Sequence, residues 1–235
     1  MVRRAEELGF ARAWFYDTQM LSADPFVAMA VAAVKTTRIR LGTGVLTAKL
    51  GAGWINGTAD VAAALPALED MRAAWHAAGR ENEKLATVAP TGGAVLEEGE
   101  PADSPRAVAQ AGPRAAMLLH RAADQALLGL PNVFPVAPAV GEAVAGYVEV
   151  ARRFEPPGAR YLMNHRGHLM FVKPEERQFI TAELIRLTTF TATEKELKER
   201  VAALADGGYD EIALQIVPGQ EHAIEDWGRL RRAFA

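Results

Sequence analysis

Residues 8–47, LGFARAWFYDTQMLSADPFVAMAVAAVKTTRIRLGTGVLT, decide how this chain folds. Ala13-Trp14-Phe15-Tyr16 is apolar on both faces, as a strand buried in a parallel sheet must be. Asp24-Pro25 is a helix start: a carboxylate at the N-cap, then a ring whose φ is already helical. The apolar run behind it predicts a helix to about Lys35. Residues 38–46, RIRLGTGVL, predict a second strand with glycine near its carboxyl end. Glycine there marks a bulge or the close approach of a ligand or another backbone. Strand, loop, helix and strand make one β-loop-α-β unit. Both strands end in residues able to hold a ligand, Asp17-Thr18-Gln19 after the first and Thr43-Gly44-Val45-Leu46-Thr47 in the second.

Outward from this unit the pattern repeats. Residues 2–8 read as the last turns of a helix, with Gly9 at the left-handed C-cap. RAEELGFARAWF at 4–15 and AALADGGYDEIALQI at 202–216 share one order: helix, glycine, aromatic, spacer, strand. Thr193 and Glu196 form a capping box for the second of these helices, which ends at Gly207-Gly208. A short strand is expected at 188–191, a strand at 209–217 and a final helix at 222–234. Between the two ends, 48–57 has no clear period, and 58–78 is helical but kinked or split at Pro66. Residues 84–96 predict a strand with a Gly-Gly irregularity. Ser104-Pro105 opens a helix to about Leu128, with Gly112-Pro113 as a candidate break. An irregular excursion follows over about 129–175, with helix at 141–154, and residues 174–186 read as helical around 175–177. Alternating helices and strands imply a parallel sheet, either doubly wound or a (β/α)8 barrel. No G-x-G-x-x-G or Walker motif opens a helix, which disfavours a dinucleotide-binding sheet.

Composition narrows the function classes. Half of the 235 residues are hydrophobic and 23% are charged, the profile of a globular protein. A net charge of −3 gives no electrostatic reason to expect nucleic acid or an anionic membrane as partner. The absence of cysteine excludes disulfides, thiolate metal sites and cysteine nucleophiles. The longest apolar run, 25–34, is far short of the roughly 20 residues that span a bilayer. No apolar core of a signal peptide follows Met1, so a cytoplasmic protein is expected.

Three pieces in order, A-E-x-L-G-F…W…D, D-P-F…A and T-x-R-I-x-L-G-T-G-V, resemble the opening of the bacterial-luciferase-like flavin-dependent oxidoreductases. That group includes monooxygenases using FMN and reductases using coenzyme F420. Residues 188–219 resemble its last strands. The resemblance implies a single TIM-barrel-like (β/α)8 domain over 1–235, incomplete because the first strand and a block after the third have no counterpart here. It implies FMN or coenzyme F420 at the C-terminal mouth of the barrel, a small organic substrate and a homodimer. Residue by residue, Asp17 and Thr18 match the position after the second strand, where the family usually has Asp-His; Thr18 replaces that histidine. Gly44-Val45 matches the strained peptide that bears on the isoalloxazine, and Thr47 a polar position near the ring edge. The expected cofactor-binding set is Asp17, Thr18, Thr43, Gly44, Val45, Leu46 and Thr47. The alternative is a degenerate, non-catalytic flavin-binding or assembly subunit of the same fold.

Asp17, His165 and His168 are the catalytic candidates. His165 and His168 form H-x-x-H without a third ligand at a recognisable spacing, so a pair lining a substrate pocket is expected, with solvated loop histidines as the alternative, and no metal. His76, His120 and His222 read as surface or packing residues. Gly112-Pro113-Arg114 reads either as a phosphate-binding turn at a helix start or as a proline kink. Glu97, Glu98, Glu100 and Asp103 read as a solvated acidic loop, and Glu175-Glu176 as the first turn of a helix. Trp14, Trp54, Trp75 and Trp227 read as packing residues. No Ser-His-Asp arrangement is readable.

Overall fold

The computed structural model describes residues 1–16, 25–44, 53–55, 57, 60–130 and 136–234. In chain order the elements are α1 (Val2–Glu7), β1 (Arg12–Tyr16), α2 (Pro25–Ala33), β2 (Arg40–Gly44), β3 (Gly53–Ile55), α3 (Val61–Ala77) and β4 (Ala86–Gly92). They continue with β5 (Val95–Leu96), α4 (Pro105–Leu128), α5 (Gly141–Ala151), α6 (Arg160–Asn164) and α7 (Ala182–Thr188). The last are β6 (Ala192–Thr193), α8 (Glu194–Asp206), β7 (Glu211–Gln215) and α9 (Ala223–Arg232). The chain divides into two compact units. Residues 1–90, 198–214 and 221–235 form the first; residues 91–197 and 215–220 form the second.

Helix–strand alternation gives parallel pairing, as the sequence implies. Arg12 lies opposite Arg40 and Tyr16 opposite Gly44 in β1–β2; Gly53 lies opposite Ala86 in β3–β4; Val95 lies opposite Ala192 in β5–β6. Among the described residues the sheets are β1–β2, β3–β4–β7 and β5–β6, and they do not close a barrel. No helix among the described residues is long and apolar enough to cross a membrane.

The repeated motif of the first unit is a helix stop. After α1, Gly9 has φ +83°, its N–H donates to Glu6 O at 3.0 Å, and Phe10 N–H donates to Ala5 O at 3.0 Å. After α8, Gly208 has φ +98°, with Gly208 N–H to Ala205 O at 2.9 Å and Tyr209 N–H to Leu204 O at 3.0 Å. After α3 the same pair of bonds recurs: Gly79 N–H to His76 O at 2.9 Å and Arg80 N–H to Trp75 O at 3.3 Å. All three are Schellman caps, which satisfy the last carbonyls of a helix and require a left-handed residue that glycine adopts without strain. Each is followed by a strand, β1, β4 or β7. Glu6 adds a second fixture: its Oε1 accepts the backbone N–H of Thr37, Arg38 and Ile39 and so aims the chain into β2. The Arg38 bond heads the interactions that hold the Glu6 carboxyl below its usual range.

Several sequence expectations change in detail. The aperiodic stretch 48–57 holds the strand β3, too short at three residues to show a period. Helix α3 runs unbroken through Pro66, capped by Asp60, whose side chain accepts the Ala62 N–H. Helix α4 runs unbroken through Gly112-Pro113, because Gly112 lets the helix lie close to Val172: a Cβ there would be 2.7 Å from Val172 Cγ2. Gly112-Pro113-Arg114 is therefore not a phosphate-binding turn, since a helix interior offers no free N–H groups. Helix α7 extends to Thr188, so the short strand falls later, at β6. The bulge considered at Gly42 is absent. Pairing with β1 is one-to-one, and a Cβ on Gly42 would lie 3.0 Å from the indole of its partner Trp14.

The second unit is built on α4. Ser104 Oγ accepts the Ala107 N–H at its start and Gly129, φ +65°, ends it. Val108, Ala111, Ala115, Leu119 and Ala122, spaced three or four apart, form its buried stripe. They belong to one core with Val144, Tyr147 and Ala151 of α5 and Leu184 and Ile185 of α7. The acidic loop before α4 is also structural. Glu100 accepts from Arg106, from Ser104 Oγ at 2.6 Å and from Glu97 N–H at 3.0 Å, and Arg106 foremost holds its carboxyl down at about 2.

Candidate functional site

Most of the expected cofactor set cannot be placed. Asp17, Thr18, Val45, Leu46 and Thr47 lie outside the described residues. The backbone of Thr43 and Gly44 continues β2 in register with Phe15 and Tyr16, so β1 and β2 end side by side at their carboxyl ends.

The second unit holds a polar cluster in its core, assembled from four segments. Helix α4 contributes His120 and Asp124, one turn apart and so on one face. Helix α5 contributes Tyr147, and α6 with the turn after it contributes Asn164, His165 and His168. Lys173 and Glu176 come from the stretch before the single turn of 3₁₀ helix at Arg177–Phe179. His120 is 2% exposed, and Asn164, Lys173 and Glu176 are fully buried. A buried charge survives only with partners, and these have them. Glu176 Oε1 lies 2.6 Å from Lys173 Nζ and in close contact with His120 Nε2, while Oε2 accepts the Lys173 N–H at 2.9 Å. Lys173 Nζ also donates to Asn164 O at 2.5 Å, Met163 O at 3.0 Å and Tyr147 Oη at 3.2 Å.

Asn164 locks the cluster. Its Oδ1 accepts from Tyr147 Oη at 2.9 Å, and its Nδ2 donates to His120 O at 2.9 Å and Asp124 Oδ1 at 2.8 Å. Asp124 Oδ2 in turn faces His165 Nε2 at 2.7 Å. Burial pushes His120 and Lys173 down from their ordinary values. Burial alone would raise Glu176, but the hydrogen bonds from His120 and Lys173 outweigh it and hold the carboxyl below its usual range. The ionised pair is thus Lys173–Glu176, and His120 is neutral, donating Nε2–H to the carboxylate.

This assignment settles where the free nitrogens point. Nε2 of His120 and Nε2 of His165 are each turned to a carboxylate oxygen, which can only accept, so Nε2 carries a proton in both and Nδ1 is the nitrogen left facing the cluster. His168 Nδ1 lies 3.4 Å from Nδ1 of His120 and 3.4 Å from Nδ1 of His165. One ring nitrogen from each of the three lies within 4.8 Å of the others. Burial, then the neighbouring His120 and His165, push His168 down to about 4. The convergence of nitrogen donors suits a transition metal or a shared proton. A cleft of this unit, about 270 Å³ between Pro105, Val108, Met170, Phe171, Val217 and Pro218, carries no titratable lining residue and offers shape alone.

Sequence reasoning brought forward two of these residues, His165 and His168, and missed the rest. His120 is a buried polar residue, where the sequence suggests surface or packing. Glu176, expected in the first turn of a helix, precedes a single turn of 3₁₀ helix and is fully buried beside Lys173, which neutralises it. The available signal was a histidine and an aspartate four apart, with the histidine continuing the apolar stripe of α4. Trp227 is buried as expected, and Trp54 stacks on Tyr209 at 6.2 Å.

Compared with known proteins, residues 1–49 match the family model of the luciferase-like monooxygenases. No curated protein matches the chain.

Proposed function

We propose that this chain is a luciferase-like oxidoreductase that binds FMN or coenzyme F420 and acts on a small organic substrate. The match over 1–49 carries the reading, and it falls on α1, β1, α2 and β2. The fit of the cofactor rests on the strand ends. Tyr16 and Gly44 stand abreast at the carboxyl ends of two parallel strands, the edge from which barrel sites are built. Asp17, Thr18, Thr43, Gly44, Val45, Leu46 and Thr47 follow or form those ends and would hold the ring and its polar edge. When bound, the flavin or deazaflavin supplies the redox chemistry, and the chain supplies position and shelter from water. In this reading the strands belong to an incomplete (β/α)8 barrel.

Titration of the full chain with FMN and with F420, followed by absorbance and fluorescence, tests the proposal. Failure to bind either at tens of micromolar overturns it. The limited extent of the match, 49 of 235 residues, favours the second reading, a flavin-binding or assembly subunit without turnover. Tight binding with no substrate-dependent reoxidation would select that one. We also propose a homodimer, supported by the exposed apolar face of α2, where Phe26, Val27 and Val31 are 52–64% exposed. A monomer by light scattering at micromolar concentration would refute it.

A further inference from the structure

We propose that His120, His165 and His168 form a binding site for one divalent transition-metal ion of the zinc class, held through their Nδ1 atoms. The inference concerns the second unit alone and does not depend on the flavin reading.

Two of the three spacings are those of a tetrahedral coordination sphere, and the third pair of ring nitrogens lies within 4.8 Å. Nitrogen ligands at about 2.0–2.1 Å from a tetrahedral metal stand about 3.3–3.4 Å apart, since a tetrahedron's edge is about 1.6 times its centre-to-corner distance. Both Nδ1–Nδ1 separations that involve His168 are 3.4 Å. A hydrogen-bonded pair of imidazoles would close to roughly 2.9 Å instead.

The surroundings are those of a metal site. Histidines that bind metals give their other ring nitrogen to a carboxylate or carbonyl, which fixes the tautomer and makes the ligand more basic. His120 gives Nε2 to Glu176 and His165 gives Nε2 to Asp124. Both carboxylates are themselves held, Glu176 by Lys173 and Asp124 by Asn164. Asn164 fixes the two halves of the site to each other through His120 O and Asp124 Oδ1. Two carboxylates outside the three imidazoles also offset the added charge of a dication, against the single ammonium of Lys173. Imidazole nitrogen selects zinc, cobalt, nickel or copper over magnesium and calcium, which take oxygen ligands. His120 is buried while His165 and His168 are partly exposed, so the fourth position is on the accessible side, where water or a substrate oxygen completes the tetrahedron.

The test uses the full chain, stripped with a chelator and titrated with Co2+ and then with Zn2+ in competition. The expected result is one cobalt per chain, bound at micromolar concentration or below, with the intense visible bands of tetrahedral cobalt that zinc abolishes. His168→Ala should lose this binding, while His76→Ala, on an exposed face of α3, should keep it. Asp124→Asn, which retains the shape of the site, should weaken binding by roughly 10- to 100-fold. Where His168→Ala does not fold, by circular dichroism, the wild-type titration and Asp124→Asn decide. No cobalt or zinc bound by the wild type at tens of micromolar would overturn the proposal, as would binding unchanged in Asp124→Asn or in a folded His168→Ala. Either result would leave the cluster as a hydrogen-bonded knot in which His168 shares a proton with its neighbours.

Discussion

Replacing Glu176 by Gln isolates the charge that holds the second unit's polar core together. The amide keeps the shape and can still accept one hydrogen bond, so no cavity opens. What is lost is the counter-charge 2.6 Å from Lys173 Nζ, in a pair whose side chains are both 0% exposed. Lys173 would keep dipolar partners in Asn164 O, Met163 O and Tyr147 Oη, but no anion within contact. Stranding one member of a buried pair costs about 3–5 kcal/mol. At about 2–4 °C per kcal/mol for a chain of this size, the melting point should fall by roughly 6–20 °C. The measurement is urea and thermal unfolding by far-UV circular dichroism, in chelator so that metal binding does not enter. All four tryptophans lie in the first unit, so their fluorescence separates that unit's unfolding from the second's. Burial already lowers Lys173, and without Glu176 the folded state binds its proton less well than the unfolded chain. The unfolded state then holds more protons as the pH approaches the lysine range, and the deficit should shrink as pH rises. Adding Lys173→Met should recover most of the loss, because the stranded charge is gone. A deficit under about 1 kcal/mol, the worth of an exposed pair, or a double variant no better than Glu176→Gln, would refute the reasoning.

Three further outcomes follow from the same geometry. Gly79→Ala and Gly208→Ala both force alanine into the left-handed region at about 1–2 kcal/mol, and Gly208→Ala should cost more by chemical denaturation. A Cβ at Gly79 meets nothing within 4 Å, whereas one at Gly208 would push aside the Arg72 guanidinium and break its hydrogen bonds to Gly207 O and Gly208 O. Glu100, held at about 2 chiefly by Arg106 against an ordinary 4.5, contributes stability that is present above pH 4.5 and is lost as pH falls toward 2. The ceiling of about 3 kcal/mol from that difference shrinks to roughly 1–2 kcal/mol with solvent screening, and Glu100→Gln should flatten this part of the acid unfolding curve. Thr193→Ala removes the two bonds that use the hydroxyl, Glu196 N–H to Thr193 Oγ1 and Thr193 Oγ1–H to Glu196 Oε2, and leaves the backbone bond from residue 193 N–H to Glu196 Oε2 in place. It should cost about 1 kcal/mol, and Glu196→Ala in that background should cost a further measurable amount, because it removes the remaining bond to the residue 193 N–H, as a double-mutant cycle would show.

The parts of the fold that the sequence announces are those governed by neighbours along the chain. Gly9, Gly208, Ser104 with Pro105, and Thr193 with Glu196 act within one helical turn, so their spacing is readable without a structure. Strand β3 escapes notice because three residues are too few for a period, and it is held by its register with Ala86–Val88. Pro66 and Pro113 mislead for a related reason. Each removes one helical hydrogen bond, and burial of the surrounding helix offsets the loss, with Leu68 at 0% beside Pro66 and Leu119 at 0% beyond Pro113. The polar core of the second unit is the least legible of all. His120 and Glu176 are 56 residues apart, and neither residue's immediate neighbours signal that the other will neutralise or orient it. A carboxylate between Glu175 and Arg177 carries no local sign of burial until tertiary packing dries it.

The signature that carries the family resemblance is made of folding residues. In A-E-x-L-G-F, Ala5 is buried beside Ile39 and Ile224, Glu6 accepts three backbone N–H groups ahead of β2, and Gly9 with Phe10 closes the Schellman cap. In T-x-R-I-x-L-G, Ile39 fills the same small core, Leu41 packs against it, and Gly42 makes room for Trp14. A match over 1–49 therefore reports first that a helix, a strand, a helix and a strand are set at one angle, and only through that geometry that a ligand sits beyond the strands. Function on this chain has to be established at two places by independent measurements. Flavin titration interrogates the ends of β1 and β2, and cobalt titration interrogates His120, His165 and His168. Since each unit carries its own core and its own fixtures, a negative result at one leaves the argument for the other intact.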